Sequence, residues 1–131
     1  MVRSQTIRTD DDSILALSKL RADLFEFGFS DYDVTRVVTA ASELVRNILK
    51  YAVAGDVSHL KLVDGVKLGI EFVAHDNGPG IDDIELAMAD HYSSSGTLGL
   101  GLPGVKRLVD DFEINSEVGV GTTVGFKVWK S

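Results

Sequence analysis

Apolar residues recur along this chain with two periods, and the change from one to the other lays out its elements. From Ser30, in "SDYDVTRVVTAASELVRNILKYA", Val34, Val37, Val38, Ala41, Leu44, Val45, Ile48 and Ala52 fall on one stripe at helical spacing. This is the strongest periodic signal, and it predicts a long helix. Before it, "DDDSILALSKLRADLFEFG" opens with acids and a serine suited to an N-cap, carries Ile14, Leu17, Leu20 and Leu24 at helical spacing, and stops at Gly28. That stretch predicts a first helix, with "SQTIRT" ahead of it as an edge strand. The β-rich runs "SHLKLVDG" and "VKLGIEFVAHD" meet near Asp64 and Gly65, where a hairpin is expected. "DDIELAMADH" reads as a short helix and "LPGVKRLVDDF" as another, with Pro103 near its first turn. "EINSEVGVGTTVGFKVWK" reads as two strands about a glycine turn, with Phe126 and Val128 alternating. The expected class is α+β: a two-layer sandwich of one mostly antiparallel sheet with helices on one face.

Composition adds bounds. At 131 residues the chain is expected to form a single domain, 1–131, with its own core. The formal net charge of −7 argues against a nucleic-acid backbone as partner. The absence of cysteine removes disulfides and thiolate metal sites, and fits a reducing cytoplasm. No run approaches the roughly 18–20 apolar residues of a membrane span, so a cytoplasmic location without a membrane partner is expected. His59, His75 and His91 lack metal-ligand spacing, and no Gly-x-Ser-x-Gly elbow is present.

Four segments can carry chemistry. In "HDNGPGIDD", Asp76 ends a strand, where its carboxylate can accept from an amino group while Gly78 and Gly80 let a flat ligand approach the backbone. Taken alone, the same residues read first as a tight turn whose aspartate caps its own loop. In "SGTLGLGLPGVKRL", Gly96, Gly99, Gly101 and Gly104 abut a helix start, an arrangement suited to phosphate oxygens. It is neither a Walker A loop nor a dinucleotide fingerprint. Glu43 and Asn47 stand one turn apart on the long helix, about 6 Å along its axis, opposite the apolar stripe. An amide oxygen there can join the shell of Mg²⁺, and a carboxylate can take a proton, although spacing alone favours a solvated polar face shared with Arg36, Arg46 and Lys50. "EVGVGTTV" is first a hairpin turn, in which Thr122 can also offer a hydroxyl to a base.

In this order the segments resemble the boxes of the GHKL ATPases: "ELVRN" the N box, "DNGPG" the G1 box, "GTLGLGL" the G2 box and "GVGT" the box on the closing hairpin. The resemblance runs from Ser30 to the end and implies the Bergerat fold with bound ATP or ADP. It also implies Asn47 as Mg²⁺ ligand and Glu43 as catalytic base. Asp76 would read the adenine amino group, with Gly78 and Gly80 beside the ring. Gly96, Gly99, Leu100, Gly101 and Leu102 would line the phosphates, and Thr122 would sit near the base.

The short chain and "YSSSGTLGLGLPGVKRLVDDFEINSEVGVGTTV" look like the RsbT-like switch kinases of bacterial partner-switching pathways, with anti-sigma factors of the SpoIIAB and RsbW type as near relatives. That resemblance implies a protein serine/threonine kinase acting on a STAS-domain antagonist (RsbS- or RsbR-like) in a stressosome. Once released, it would activate a PP2C-type phosphatase through that protein's N-terminal domain. The alternative is an anti-sigma factor that sequesters a sigma factor and phosphorylates its STAS antagonist. A third reading is an ATP-binding scaffold without useful catalysis. Two departures stand out: His75 precedes the G1 aspartate where an acid is expected from the close relatives, and the lid "DHYSSSGT" has no arginine or lysine. A slow enzyme that waits for its substrate protein is therefore expected. For partner contact, the first helix, Asp11 to Gly28, and the surface around "ADHYSSS" are candidates, with Tyr92 exposed and the Leu, Phe and Met residues of both in the core.

Overall fold

In the computed structural model, residues 2–52, 54–78 and 101–131 are described. Strand β1 (Val2–Ile7) leads into helix α1 (Asp10–Glu26) and then α2 (Asp31–Tyr51). Strands β2 (Gly55–Asp64) and β3 (Lys67–Asp76) follow, then helix α3 (Gly101–Leu108) and strands β4 (Asp111–Glu117) and β5 (Gly121–Trp129). The strands form one five-stranded sheet in the order β1-β2-β3-β5-β4, and every neighbouring pair is antiparallel. The expected short helix in "DDIELAMADH" lies outside the described residues, as does Tyr92.

The start of α1 differs from the sequence reading. Its N-cap is Thr9, whose hydroxyl accepts from the Asp12 amide at 3.2 Å while the Asp12 carboxylate accepts from the Thr9 amide, also at 3.2 Å. This reciprocal capping box takes up two otherwise unpaired amides, so Ser13 falls inside the helix. Asp10, Asp11 and Asp12 then occupy the first turn, where the helix dipole favours negative charge. The buried stripe of α1 is Ala16, Leu20, Asp23 and Leu24, whereas Ile14 is 64% exposed and Leu15 and Phe25 are also exposed. The expectation that the Leu and Phe residues of α1 belong to the core therefore fails for Leu15 and Phe25, and Ile14 departs from the expected apolar stripe. Helix α2 matches its pattern: Ser30 caps it, and Val34, Val37, Ala41, Leu44, Val45 and Ile48 are buried.

The core lies between the helices and one sheet face. Ile70, Phe72 and Ala74 of β3 and Val124, Phe126 and Val128 of β5 are buried there, alternating with less buried neighbours as strand geometry requires. Phe72 and Phe126 are register partners, their rings stacked 5.4 Å apart. Gly65, at a positive φ of 62°, turns β2 into β3 where the hairpin was expected.

Helix α3 stops at Leu108, short of the "VDDF" that the sequence assigned to it. Arg36 explains the stop: its Nε donates to the Leu108 carbonyl at 2.8 Å, and its Nη2 donates to Asp110 at 3.1 Å. Asp110 also accepts from the Trp129 amide at 2.7 Å, which commits the chain to the β4–β5 pairing.

Arg36 has a second partner in Asp33, which is 0% exposed. Arg36 donates to one Asp33 oxygen at 3.0 Å, while the Ser131 amide and hydroxyl donate to the other at 3.1 and 2.7 Å. Burial alone would raise the Asp33 pKa, but the bonds from Ser131 and from Arg36, with the guanidinium charge, outweigh it and hold the pKa below the usual carboxylate value. Because the folded-state pKa is the lower one, the stabilisation is complete above the unfolded value of about 3.9 and is lost as pH falls through the folded value. Asp33→Asn is expected to lower unfolding stability at pH 7 by about 2 kcal/mol. Its deficit should shrink as the wild type is acidified below about pH 4. Urea denaturation at both pH values checks this, and equal stability at pH 7 would remove Asp33 from the account.

Candidate functional site

The alternation along β3 and β5 carries the site. Continuing from Ile70, Phe72 and Ala74, the next inward position of β3 is Asp76. Continuing backwards from Val128, Phe126 and Val124, the next inward position of β5 is Thr122. The two are register partners, and Ser116 of β4 pairs with Thr122 from the other side. Asp76, Thr122 and Ser116 thus form a polar row across three strands, at the end of a face that is otherwise apolar.

One Asp76 oxygen, Oδ1, accepts from the Gly78 amide at 2.7 Å, so the carboxylate does brace its own turn. Among the described residues its second oxygen, Oδ2, has no hydrogen-bond partner. A Cβ on Gly78 would lie 2.9 Å from Asp76 Oδ1 and 3.0 Å from the Tyr51 carbonyl, which places the turn against the last turn of α2. Gly121 is tighter still: φ is 148°, and a Cβ would lie 2.0 Å from the Asp76 carbonyl oxygen. A methyl group there meets backbone, so Gly121→Ala is expected to cost about 1–3 kcal/mol of stability. Thermal denaturation checks it, and a variant as stable as the wild type would contradict the close packing.

Helix α2 contributes Glu43 and Asn47. The side opposite the apolar stripe is not simply solvated, and α3 packs against α2. Ala40 on that side is fully buried and Glu43 is only 7% exposed, while Asn47 is half-buried. Glu43 Oε1 accepts from Arg46 Nη1 at 2.9 Å, and the Arg46 side chain is 57% exposed. Among the described residues Glu43 Oε2 has no hydrogen-bond partner. The buried carboxylate therefore has one oxygen held and one available.

His75, the departure before Asp76, lies on the opposite sheet face, exposed, with its Nδ1 2.7 Å from the Thr123 hydroxyl. Strand alternation keeps it away from whatever Asp76 contacts. Gly101 opens α3 with a φ of 62°, and Leu102 is buried behind it. Gly80, Gly96, Gly99 and Leu100 lie outside the described residues.

Sequence reading missed Ser116, whose place beside Thr122 depends on the β4–β5 register. It also missed the Arg46–Glu43 ion pair, although their spacing of three on a helix was a visible signal.

Among the described residues no group of three or more His, Cys, Asp or Glu can hold a metal ion. The donors on α2 fit a cation that brings most of its shell along. Asn47 offers one hard oxygen, and Mg²⁺ retains waters and phosphate oxygens for its other positions.

Residues 32–131 match the model of the histidine kinase-, DNA gyrase B- and HSP90-like ATPases, and the chain belongs to that family. Over 123 residues it is 45% identical to the serine/threonine-protein kinase RsbT of Bacillus subtilis, covering 94% of this chain and 92% of that one. This relationship places it among the RsbT-like serine/threonine-protein kinases. It is also 31% identical over 100 residues to an anti-sigma F factor of Clostridium kluyveri, covering 72% of this chain and 70% of the relative. A crystal structure of the RsbU and RsbW domains of a Mycobacterium tuberculosis protein shares the fold, with a TM-score of 0.68, 20% identity, and coverage of 98% of this chain and 33% of that one. Among the described residues no helix is long and apolar enough to cross a membrane.

Proposed function

We propose that the chain is a cytoplasmic Mg-ATP-dependent kinase that phosphorylates a serine or threonine of a STAS-domain antagonist, and that its released form binds and activates a PP2C-type phosphatase. The observation that carries this reading is that two acids are each half-engaged: among the described residues Asp76 Oδ2, at the inward end of β3, and Glu43 Oε2, on α2, have no hydrogen-bond partner.

The Asp76 acceptor suits the exocyclic amino group of adenine and repels the carbonyl that guanine places there. Gly101 and Leu102, with the glycines preceding them, would lie along the polyphosphate, whose charge the start of α3 favours. Asn47 would hold Mg²⁺, which supplies charge neutralisation at the phosphates when bound. Glu43 Oε2 would take the proton of the attacking hydroxyl. The hydroxyl oxygen then bonds to the γ-phosphorus, the bond from that phosphorus to the bridging oxygen breaks, and ADP leaves with the electron pair. Arg46 holds the other Glu43 oxygen throughout.

Incubating the protein with labelled Mg-ATP and a cognate STAS-domain protein tests this reading. Phosphoserine or phosphothreonine should appear on the STAS protein, and no transfer to any of a panel of such proteins would refute it.

The identity to anti-sigma F factors supports a second reading, in which the chain sequesters a sigma factor and phosphorylates its STAS antagonist. The higher identity to RsbT ranks it below the first. Pull-down of a sigma factor at micromolar concentration would reverse that order.

A further inference from the structure

Three residues after Glu43 on α2 stands Arg46, whose Nη1 donates to Glu43 Oε1 at 2.9 Å. A guanidinium has only donors and an ionised carboxylate only acceptors, so the direction of this bond is fixed. The two side chains differ in setting: that of Glu43 is 10% exposed and that of Arg46 57%. The pair joins a buried acid to a cation at the surface. Arg36, on the same helix, is committed elsewhere, because Asp33, Asp110 and the Leu108 carbonyl take its donors.

A glutamate carries its carboxylate on three rotatable bonds, and rotation about the last exchanges its two oxygens. The Arg46 bond fixes that rotation. With Oε1 held, Oε2 is the oxygen left to take a proton. A general base must stand within hydrogen-bond reach of that proton, about 2.6–3.2 Å. A misplacement of about 1 Å can cost about 100-fold in rate. An ion pair with an exposed partner adds little to stability, so the bond matters more to the reaction than to the fold.

We propose that Arg46 is a positioning residue for phosphoryl transfer, holding Glu43 Oε1 so that Oε2 stands where the attacking hydroxyl delivers its proton. The proposal rests on the kinase reading above. Arg46 acts through Glu43 and needs no contact with nucleotide or substrate protein.

Single-turnover transfer from labelled Mg-ATP to the STAS-domain protein, beside titration with Mg-ADP, tests the proposal. Arg46→Met keeps an unbranched stem and removes every donor. Transfer should fall about 10–100-fold. Mg-ADP affinity should stay within about twofold of the wild type. Arg46→Lys keeps one charged donor. Since the bond uses a single N–H and not the guanidinium fork, lysine should restore most of the rate. In a Glu43→Gln background, Arg46→Met should slow transfer by no more than about a further twofold. A merely structural role in α2 would disturb Asn47, the next residue, and weaken Mg-ADP together with transfer.

Wild-type transfer in Arg46→Met, beside an impaired Glu43→Gln, overturns this proposal and leaves the kinase reading standing. Equal fractional losses from Arg46→Met in the wild-type and Glu43→Gln backgrounds also overturn it, because Arg46 would then act without Glu43. So does a loss of Mg-ADP affinity that matches the loss of transfer. A wild type that transfers no phosphate, or a Glu43→Gln that transfers at full rate, overturns the reading beneath and this proposal with it.

Discussion

Glu43→Gln is expected to slow phosphoryl transfer by about 10²–10⁴-fold, the range associated with removing a positioned general base. ADP affinity should change by no more than about twofold, because an interaction made only in the transition state affects turnover and not ground-state binding. The substitution keeps side-chain volume and leaves Oε1 able to accept from Arg46, so the ion pair becomes a hydrogen bond from the exposed guanidinium to a neutral amide oxygen. What disappears is the carboxylate's capacity to take a proton. Single-turnover transfer to the STAS protein, beside an ADP titration, separates the two effects. Undiminished transfer would remove Glu43 as the base. Parallel loss of transfer and ADP binding would instead give it a role in holding nucleotide.

Asp76→Asn should weaken ADP binding by about 100-fold, as two facing donors replace a charge-assisted bond. The direction follows from the turn. The Gly78 amide donates to Asp76 Oδ1 at 2.7 Å, and an asparagine must offer its carbonyl oxygen to that amide. Its amino group is then forced to the position of Oδ2, where it faces the amino group of adenine. The same geometry makes the variant better suited to a 6-oxopurine, so inosine 5′-diphosphate should gain affinity relative to ADP. Equal ADP affinity in variant and wild type would exclude Asp76 from base recognition.

Much of this architecture is legible in the sequence. The stripe from Val34 to Ile48 located α2 because apolar periodicity and burial share one cause, the removal of hydrocarbon from water. Alternation at Phe126 and Val128 did the same for β5. Reading failed where a local pattern yields to a distant partner. Ile14 fits the spacing of its helix, but α1 buries the adjacent stripe through Ala16, Leu20 and Leu24. Leu108 ends α3 because Arg36, 72 residues earlier in the chain, takes its carbonyl. The cap of α1 differs for a smaller reason: Thr9 lies just ahead of the three acids, and its reciprocal bond with Asp12 decides the start.

The site was legible to different depths. Asp76 and Thr122 could be singled out as residues, and their inward placement follows from strand alternation. That they stand side by side is a matter of register, fixed by the buried rows along β3 and β5. Ser116 was invisible for the same reason, since no spacing along the chain connects it to either. Glu43 and Asn47 were visible as a pair one turn apart. The burial of Glu43 was not, because the spacing of residues along α2 does not show what packs over its polar side.

The central claim is that a nucleotide occupies the inward end of the β3–β5 pairing against α2. Backbone amide NMR during titration with Mg-ADP tests it most directly. Saturable shifts are predicted at Asn47, Asp76, Gly78 and Thr122, with Lys67 and Lys127 on the outer sheet face left in place. Spectra unchanged at millimolar nucleotide, or shifts confined to that outer face, would contradict it.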